Sequence, residues 1–114
     1  MTELNDNNFA AEALNSELPV LVDFYAPWCG PCRMVAPVLE QLAGEFAGRV
    51  RFVKVNVDDA PELAQRYRIT GVPTLTIFHR GRVADTMVGF AGAGALRARL
   101  EKLASAPAQP VSAT

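Results

Sequence analysis

Cys29 and Cys32 are the only two cysteines of the chain, and just Gly30 and Pro31 stand between them. On a helix, residues three apart share a face, so the two sulfurs can meet. A bridge between them closes a loop of about four residues. The chain-entropy account assigns it roughly 2 kcal/mol before strain, near the bottom of what structural disulfides contribute. Two thiols so placed, with no third sulfur to compete, suit reversible oxidation better than holding a fold together. Asp23, six positions before Cys29, is the one charged residue in the apolar run Val20 to Tyr25. Desolvation in such a run raises a carboxyl pKa and makes it a proton acceptor near neutrality. A buried Asp satisfied by hydrogen bonds or by Lys54 is the structural reading, and the residues alone leave the two level.

Other residue types carry less. With two Cys and one His, His79, the chain is short of the ligands for a tetrahedral structural zinc of its own, and His79 reads as an exposed turn residue. Gly89, Gly92 and Gly94 fit no dinucleotide or P-loop pattern, and no Lys-Ser/Thr pair follows them.

The 114 residues suit one domain with a real hydrophobic core, half of them apolar and a fifth charged. A net charge of -1 offers no basic field for nucleic acid or an anionic membrane. Residues 1–8 lack the cationic start and apolar stretch of a secretory signal, and no apolar run approaches the about 18 residues of a membrane span. A cytoplasmic monomer is expected, in a compartment where thiols stay reduced and a Cys-x-x-Cys is catalytic or metal-binding more often than structural.

The elements that must position the cysteines follow from patterning. A short strand around Leu4 leads to a helix through Phe9, Ala10, Ala13 and Leu14, capped by Asn5 or Asp6. Val20 to Tyr25 reads as a strand covered on both faces. A helix then starts around the cysteines and runs to about Phe46, burying Val35, Val38, Leu39, Leu42 and Phe46. Pro31 is tolerated in its first turn, whereas Pro37 should kink it. Val50 to Val57 is a strand with Val53, Val55 and Val57 on one face and Phe52, Lys54 and Asn56 on the other. Asp59 and Glu62 resemble a capping box for a short helix to about Tyr67. Thr74 to Phe78 and Val83 to Val88 form an antiparallel hairpin around His79-Arg80-Gly81-Arg82. A last helix carries Leu96, Leu100 and Leu103 but starts without a Ser, Thr or Asp cap. Residues 1–104 are the expected domain and 105–114, rich in Ala, Pro and Ser, a flexible tail. The order implies an α/β fold: a mixed five-stranded sheet, parallel early and antiparallel in the final hairpin, flanked by four helices.

The segment Asp23-Phe24-Tyr25-Ala26-Pro27-Trp28-Cys29-Gly30-Pro31-Cys32-Arg33 resembles the active-site segment of the thioredoxin family almost position for position. Gly71-Val72-Pro73-Thr74 is similar to that family's cis-proline loop and Val88-Gly89-Phe90 to its third loop, while Lys54, Pro37 and Gly81 fall where the pattern expects them. The resemblance covers roughly residues 3–104 and implies the thioredoxin fold. It implies that Cys29 is the nucleophile, that Cys32, further in and more buried, resolves the mixed disulfide, and that Asp23 transfers the proton. Unpaired N–H groups and the helix dipole favour a thiolate at Cys29. Lys54 is then the electrostatic partner of Asp23, although a lysine directed at solvent is an equal reading. The resemblance makes Pro73 cis and sets it against the disulfide, leaving the Val72 backbone free to pair with an extended substrate. Trp28, Gly30, Pro31, Gly71, Val72, Gly89 and Phe90 would form an apolar docking surface, unless Trp28 is a core residue.

Between the cysteines, a histidine would stabilise the Cys29 thiolate and make an oxidant. Gly30 and Pro31 add no charge, which favours the disulfide and points to a reductant. The expected activity is reduction of protein disulfides at a Cys29–Cys32 centre, with no bound cofactor or metal. Electrons would come from NADPH through a thioredoxin reductase, and the partners would be that reductase and disulfide-containing proteins. Three readings compete: an oxidase or isomerase of the same fold, a binding subunit that uses the same surface without redox turnover, and a metal or iron–sulfur site shared by two chains.

Overall fold

The computed structural model describes residues 1–104; the tail expected over 105–114 lies outside the described residues. Five strands, β1 (Thr2–Leu4), β2 (Val20–Tyr25), β3 (Arg51–Asn56), β4 (Thr74–His79) and β5 (Arg82–Val88), form one sheet in the order β1-β3-β2-β4-β5. β1 and β2 both pair with β3 in parallel, while β4 pairs antiparallel with β2 and β5. Four helices flank it: α1 (Ala10–Leu14), α2 (Gly30–Glu45), α3 (Pro61–Arg66) and α4 (Ala93–Ala104). This is the mixed five-stranded α/β architecture that the element order implies.

The apolar run of β2 is explained by its central place, where both of its faces are covered. On one face Val22, Phe24, Val53, Val55 and Phe78 pack against Phe9, Ala13 and Leu63 of the α1 and α3 side. On the other, Leu21, Phe52, Leu75 and Ile77 meet Val35, Leu39 and Leu42 of α2 and Leu96 and Leu100 of α4. Each such aliphatic side chain contributes about 1.5–3 kcal/mol relative to exposure, so α2 is anchored chiefly by its sheet-facing stripe. Val38 of α2 and Leu103 of α4, at the margins of this face, are only partly buried. α2 runs unbroken through Pro37.

Three local features depart from the sequence reading. α1 is a five-residue π-helical turn, entered through Asn5 and Asn8, whose side chains each accept the other's backbone N–H at 3.2 and 2.8 Å. The capping box of Asp59 and Glu62 does not form, because α3 begins one residue later than that box requires, with Ala60 at its N-cap and Pro61 in its first turn. Asp6 caps it from a distance instead, its carboxylate accepting the N–H groups of Glu62 and Leu63 at 3.3 and 3.0 Å. His79 is the last residue of β4, paired with Arg82 and partly buried, so the turn is the two residues Arg80 and Gly81. Their φ of 56° and 81° are the left-handed values that a two-residue hairpin needs, which suits a glycine at the second position.

Candidate functional site

β2 ends at Tyr25, and the chain turns through Ala26, Pro27 and Trp28 onto the N-terminus of α2. Cys29 is the N-cap, in extended conformation, and Pro31 in the first turn gives up no helical hydrogen bond. A helix start leaves its first N–H groups without partners, and here a sulfur fills that role. Cys29 Sγ accepts the backbone N–H of Cys32 at 3.1 Å. The two sulfurs are bonded to each other, with the Cα atoms 5.3 Å apart. Arg33 clasps the approach to the helix by donating to the Pro27 carbonyl at 2.7 Å.

The sulfurs are not distinguished by burial. Cys29 and Cys32 are each 4% exposed, against the expectation that Cys32 is the more buried of the two. Both pack with Ala26, under Tyr25, Val57 and Val72, so the loops cover Cys29 as fully as the helix covers Cys32. Their difference is positional: Cys29 Sγ lies 3.7 Å from the Val72 carbonyl oxygen, whereas Cys32 lines the cavity beneath.

Val72 precedes a cis peptide bond to Pro73. Thr74 Oγ1 donates to the Gly71 carbonyl at 2.6 Å, closing this loop on itself. Gly89 N–H donates to the Pro73 carbonyl at 2.8 Å, which brings the third loop alongside. Gly89 has a φ of 87°, where a side chain would be strained. Phe90 does not join this surface fully: it is partly buried and packs against the core on the α2 and α4 side. Trp28 is 68% exposed rather than a core residue, and its indole N–H donates to Asp58 Oδ2 at 3.1 Å. Gly30 is half-buried and Pro31 exposed.

Asp23 lies below the cysteines on β2, 4% exposed, with its Oδ1 lacking any hydrogen-bond partner. Burial pushes its carboxyl from an ordinary 3.8 up to about 6, against an opposing pull from the Lys54 ammonium. Asp23, Lys54 and Cys32 line one cavity of about 260 Å³, together with Arg33 and Glu40. Lys54 is the register partner of Asp23 on β3, and its Nζ stands 5.6 Å from the centre of the Tyr25 ring. Among the described residues no three His, Cys, Asp or Glu side chains are grouped to hold a metal ion, and no helix is long and apolar enough to cross a membrane.

Sequence reasoning missed Asp58 and Met34, and named Val88 in the third loop without placing it on the docking surface. Asp58 reaches Trp28 only because β3 ends beside the active-site loop, which no local pattern signals. Val88, 74% exposed, lies opposite Thr74 next to the cis-proline loop, and Met34, 79% exposed, follows Cys32 on α2. An apolar residue on the solvent face of its element was the available signal.

A bonded cysteine pair at the head of a helix, set against a cis-proline on a mixed five-stranded sheet, defines a thiol–disulfide oxidoreductase. The family model described as Thioredoxin matches residues 1–102. The chain is 48% identical over 100 residues to "Thioredoxin 1" of Nostoc sp., covering 88% of this chain and 94% of that protein. It is 45% identical over 105 residues to "Thioredoxin" of Pyropia yezoensis, covering 92% and 98%. Identity to "Thioredoxin M4, chloroplastic" of Arabidopsis thaliana is 49% over 86 residues, covering 75% of this chain and 45% of that one. The chain belongs to the thioredoxin family, and its activity is the reduction of protein disulfides by reversible dithiol–disulfide exchange.

Proposed function

We propose that the two cysteines divide the reaction. In the reduced protein Cys29, at the helix N-cap, attacks one sulfur of a substrate disulfide as a thiolate. A mixed disulfide forms and the first substrate thiolate leaves. The Cys32 thiol then passes its proton to the Asp23 carboxylate and attacks Cys29 Sγ, which releases the second substrate thiolate. The substrate gains two electrons, the two released thiolates take up protons, and the Cys29–Cys32 pair is left oxidised. The helix N-terminus favours the Cys29 thiolate, since the Cys32 N–H points at the sulfur.

The observation that carries this reading is the cavity that Cys32 and Asp23 line together, while Cys29 Sγ lies beside the Val72 carbonyl. A carboxyl held at about 6 is ionised at neutral pH yet basic enough to accept a thiol proton, and Lys54 tunes it. Gly30 and Pro31 leave the pair uncharged and bias it toward giving up electrons. Pro73 blocks the approach to the sulfurs from one side, and the Val72 backbone pairs with an extended substrate segment. Trp28, Gly71, Gly89 and the edge of Phe90 flank that segment.

Residues 1–104 act as one domain and as a monomer. A thioredoxin reductase returns the pair to the dithiol with electrons from NADPH, so the chain needs no cofactor of its own. A cytoplasmic location fits the reducing direction, with neither nucleic acid nor membrane as partner.

Trapping tests the division of labour. Cys32→Ser should accumulate a mixed disulfide with a model protein substrate, seen as one covalent adduct by mass spectrometry and released by reductant. Cys29→Ser should give none. Adduct formation through Cys32 in the Cys29→Ser protein would reverse the assignment.

A further inference from the structure

The sheet register sets three charged residues in one row. Glu3 on β1 and Asp23 on β2 are both Cα partners of Lys54 on β3. Partnered residues of parallel strands share a face, so the row lies on the side covered by α2. Lys54 thus stands between two carboxylates. Among the described residues it forms an ion pair with neither.

Tyr25 is two residues beyond Asp23 on β2 and so lies on the same face. Its hydroxyl donates to Glu3 Oε1 at 2.6 Å, and its ring lies against the Lys54 ammonium. Burial, the bond to Glu3 and the charges of Glu3, Asp23 and Asp59 hold the phenol above its ordinary range, so it remains a donor throughout the neutral region. The remaining charged groups around the row are already engaged. Arg33 of α2 is bonded to the Pro27 carbonyl, Glu40 of α2 is paired with the Met1 α-ammonium at 3.1 Å, and Asp59 accepts from Asn56 Nδ2 at 3.3 Å. β4 sets the neutral Leu75 opposite Asp23.

We propose that Tyr25 and Glu3 are positioning residues for Asp23: the Tyr25 hydroxyl retains the Glu3 carboxylate, so that the field of Lys54 is directed at Asp23. This deepens the proton-acceptor role given to Asp23 above and rests on it. Without the hydroxyl, Glu3 is released to take the ammonium, and Asp23 loses the pull of Lys54. Without the Glu3 charge, Lys54 serves Asp23 alone.

The test is a carboxyl ¹³C NMR titration of Asp23 in the oxidised protein, where the cysteines do not titrate, with the signal identified by its absence in Asp23→Asn. Glu3→Gln removes a charge about two strand spacings, roughly 10 Å, from Asp23 and should raise the Asp23 acid dissociation constant about two- to twentyfold. Tyr25→Phe, which keeps the ring against Lys54, should lower that constant. In the Glu3→Gln background Tyr25→Phe should change nothing further, since there is no carboxylate left to release. Two results overturn the proposal: an Asp23 titration unmoved by Glu3→Gln, or a Tyr25→Phe effect of equal size in both backgrounds. The proton-acceptor role is read separately, from the rate of mixed-disulfide resolution in Asp23→Asn. The carboxyl titration reports on the row whichever way that rate falls.

Discussion

Asp23→Asn should stabilise this protein, by an amount that grows as the pH rises from 3.8 to about 6 and is complete only above that. The carboxyl is almost fully buried with one oxygen unpartnered, and burial moves its midpoint from 3.8 to about 6 despite the attraction of Lys54. That displacement corresponds to about 3 kcal/mol. The native state holds this proton more tightly than the unfolded chain does. The associated stability is therefore fully present below 3.8, declines between 3.8 and about 6, and is absent above. Asparagine has nearly the same shape and no proton to lose. Guanidinium unfolding of the oxidised protein and the variant should agree at about pH 3.5 and differ by about 3 kcal/mol at about pH 8, in favour of the variant. In melting temperature the gain at the higher pH is roughly 13 °C. An equal difference at both pH values, or a less stable variant at the higher pH, would refute the burial argument and mean that the charge is well served inside the cavity.

Two further substitutions separate docking from folding. Trp28→Ala removes an exposed ring and one hydrogen bond to Asp58, so its stability cost should stay within about 1 kcal/mol in a melt. The same variant should raise the KM for a protein disulfide several-fold while leaving reaction with a small disulfide unchanged. Asp6→Ala strips two backbone N–H groups at the start of α3 of their acceptor and should cost about 1 kcal/mol in denaturant unfolding. Disulfide reduction by that variant should match the parent, because α3 lies on the sheet face away from the cysteines.

What could be read in the sequence was local or periodic. The cysteine spacing, the lone Asp23 in an apolar strand and the alternation of Val53, Lys54 and Val55 each encode their geometry within a few residues, and each stands in the structure where that pattern sets it. The hairpin was legible for the same reason, although the turn proved one pair tighter than the four residues His79 to Arg82. Contacts between distant segments were not legible. Asp6 caps a helix that starts 55 residues later, and Asp58 holds Trp28 across 30 residues. The equal burial of the two sulfurs depends on Val57 and Val72, which arrive from β3 and the cis-proline loop, so position along α2 alone was a poor guide to exposure. Likewise the row of Glu3, Lys54 and Asp23 exists only once the register of three strands is known.

The central claim is that this chain passes two electrons at a time to protein disulfides through Cys29 and Cys32. It is tested most directly by following NADPH oxidation in a mixture of a thioredoxin reductase, a model protein disulfide and this protein. Sustained turnover that scales with the amount of this protein, and is lost in both Cys29→Ser and Cys32→Ser, is the predicted result. Absence of turnover from the folded parent protein, while direct reduction of its Cys29–Cys32 bond by the same reductase proceeds, would contradict it.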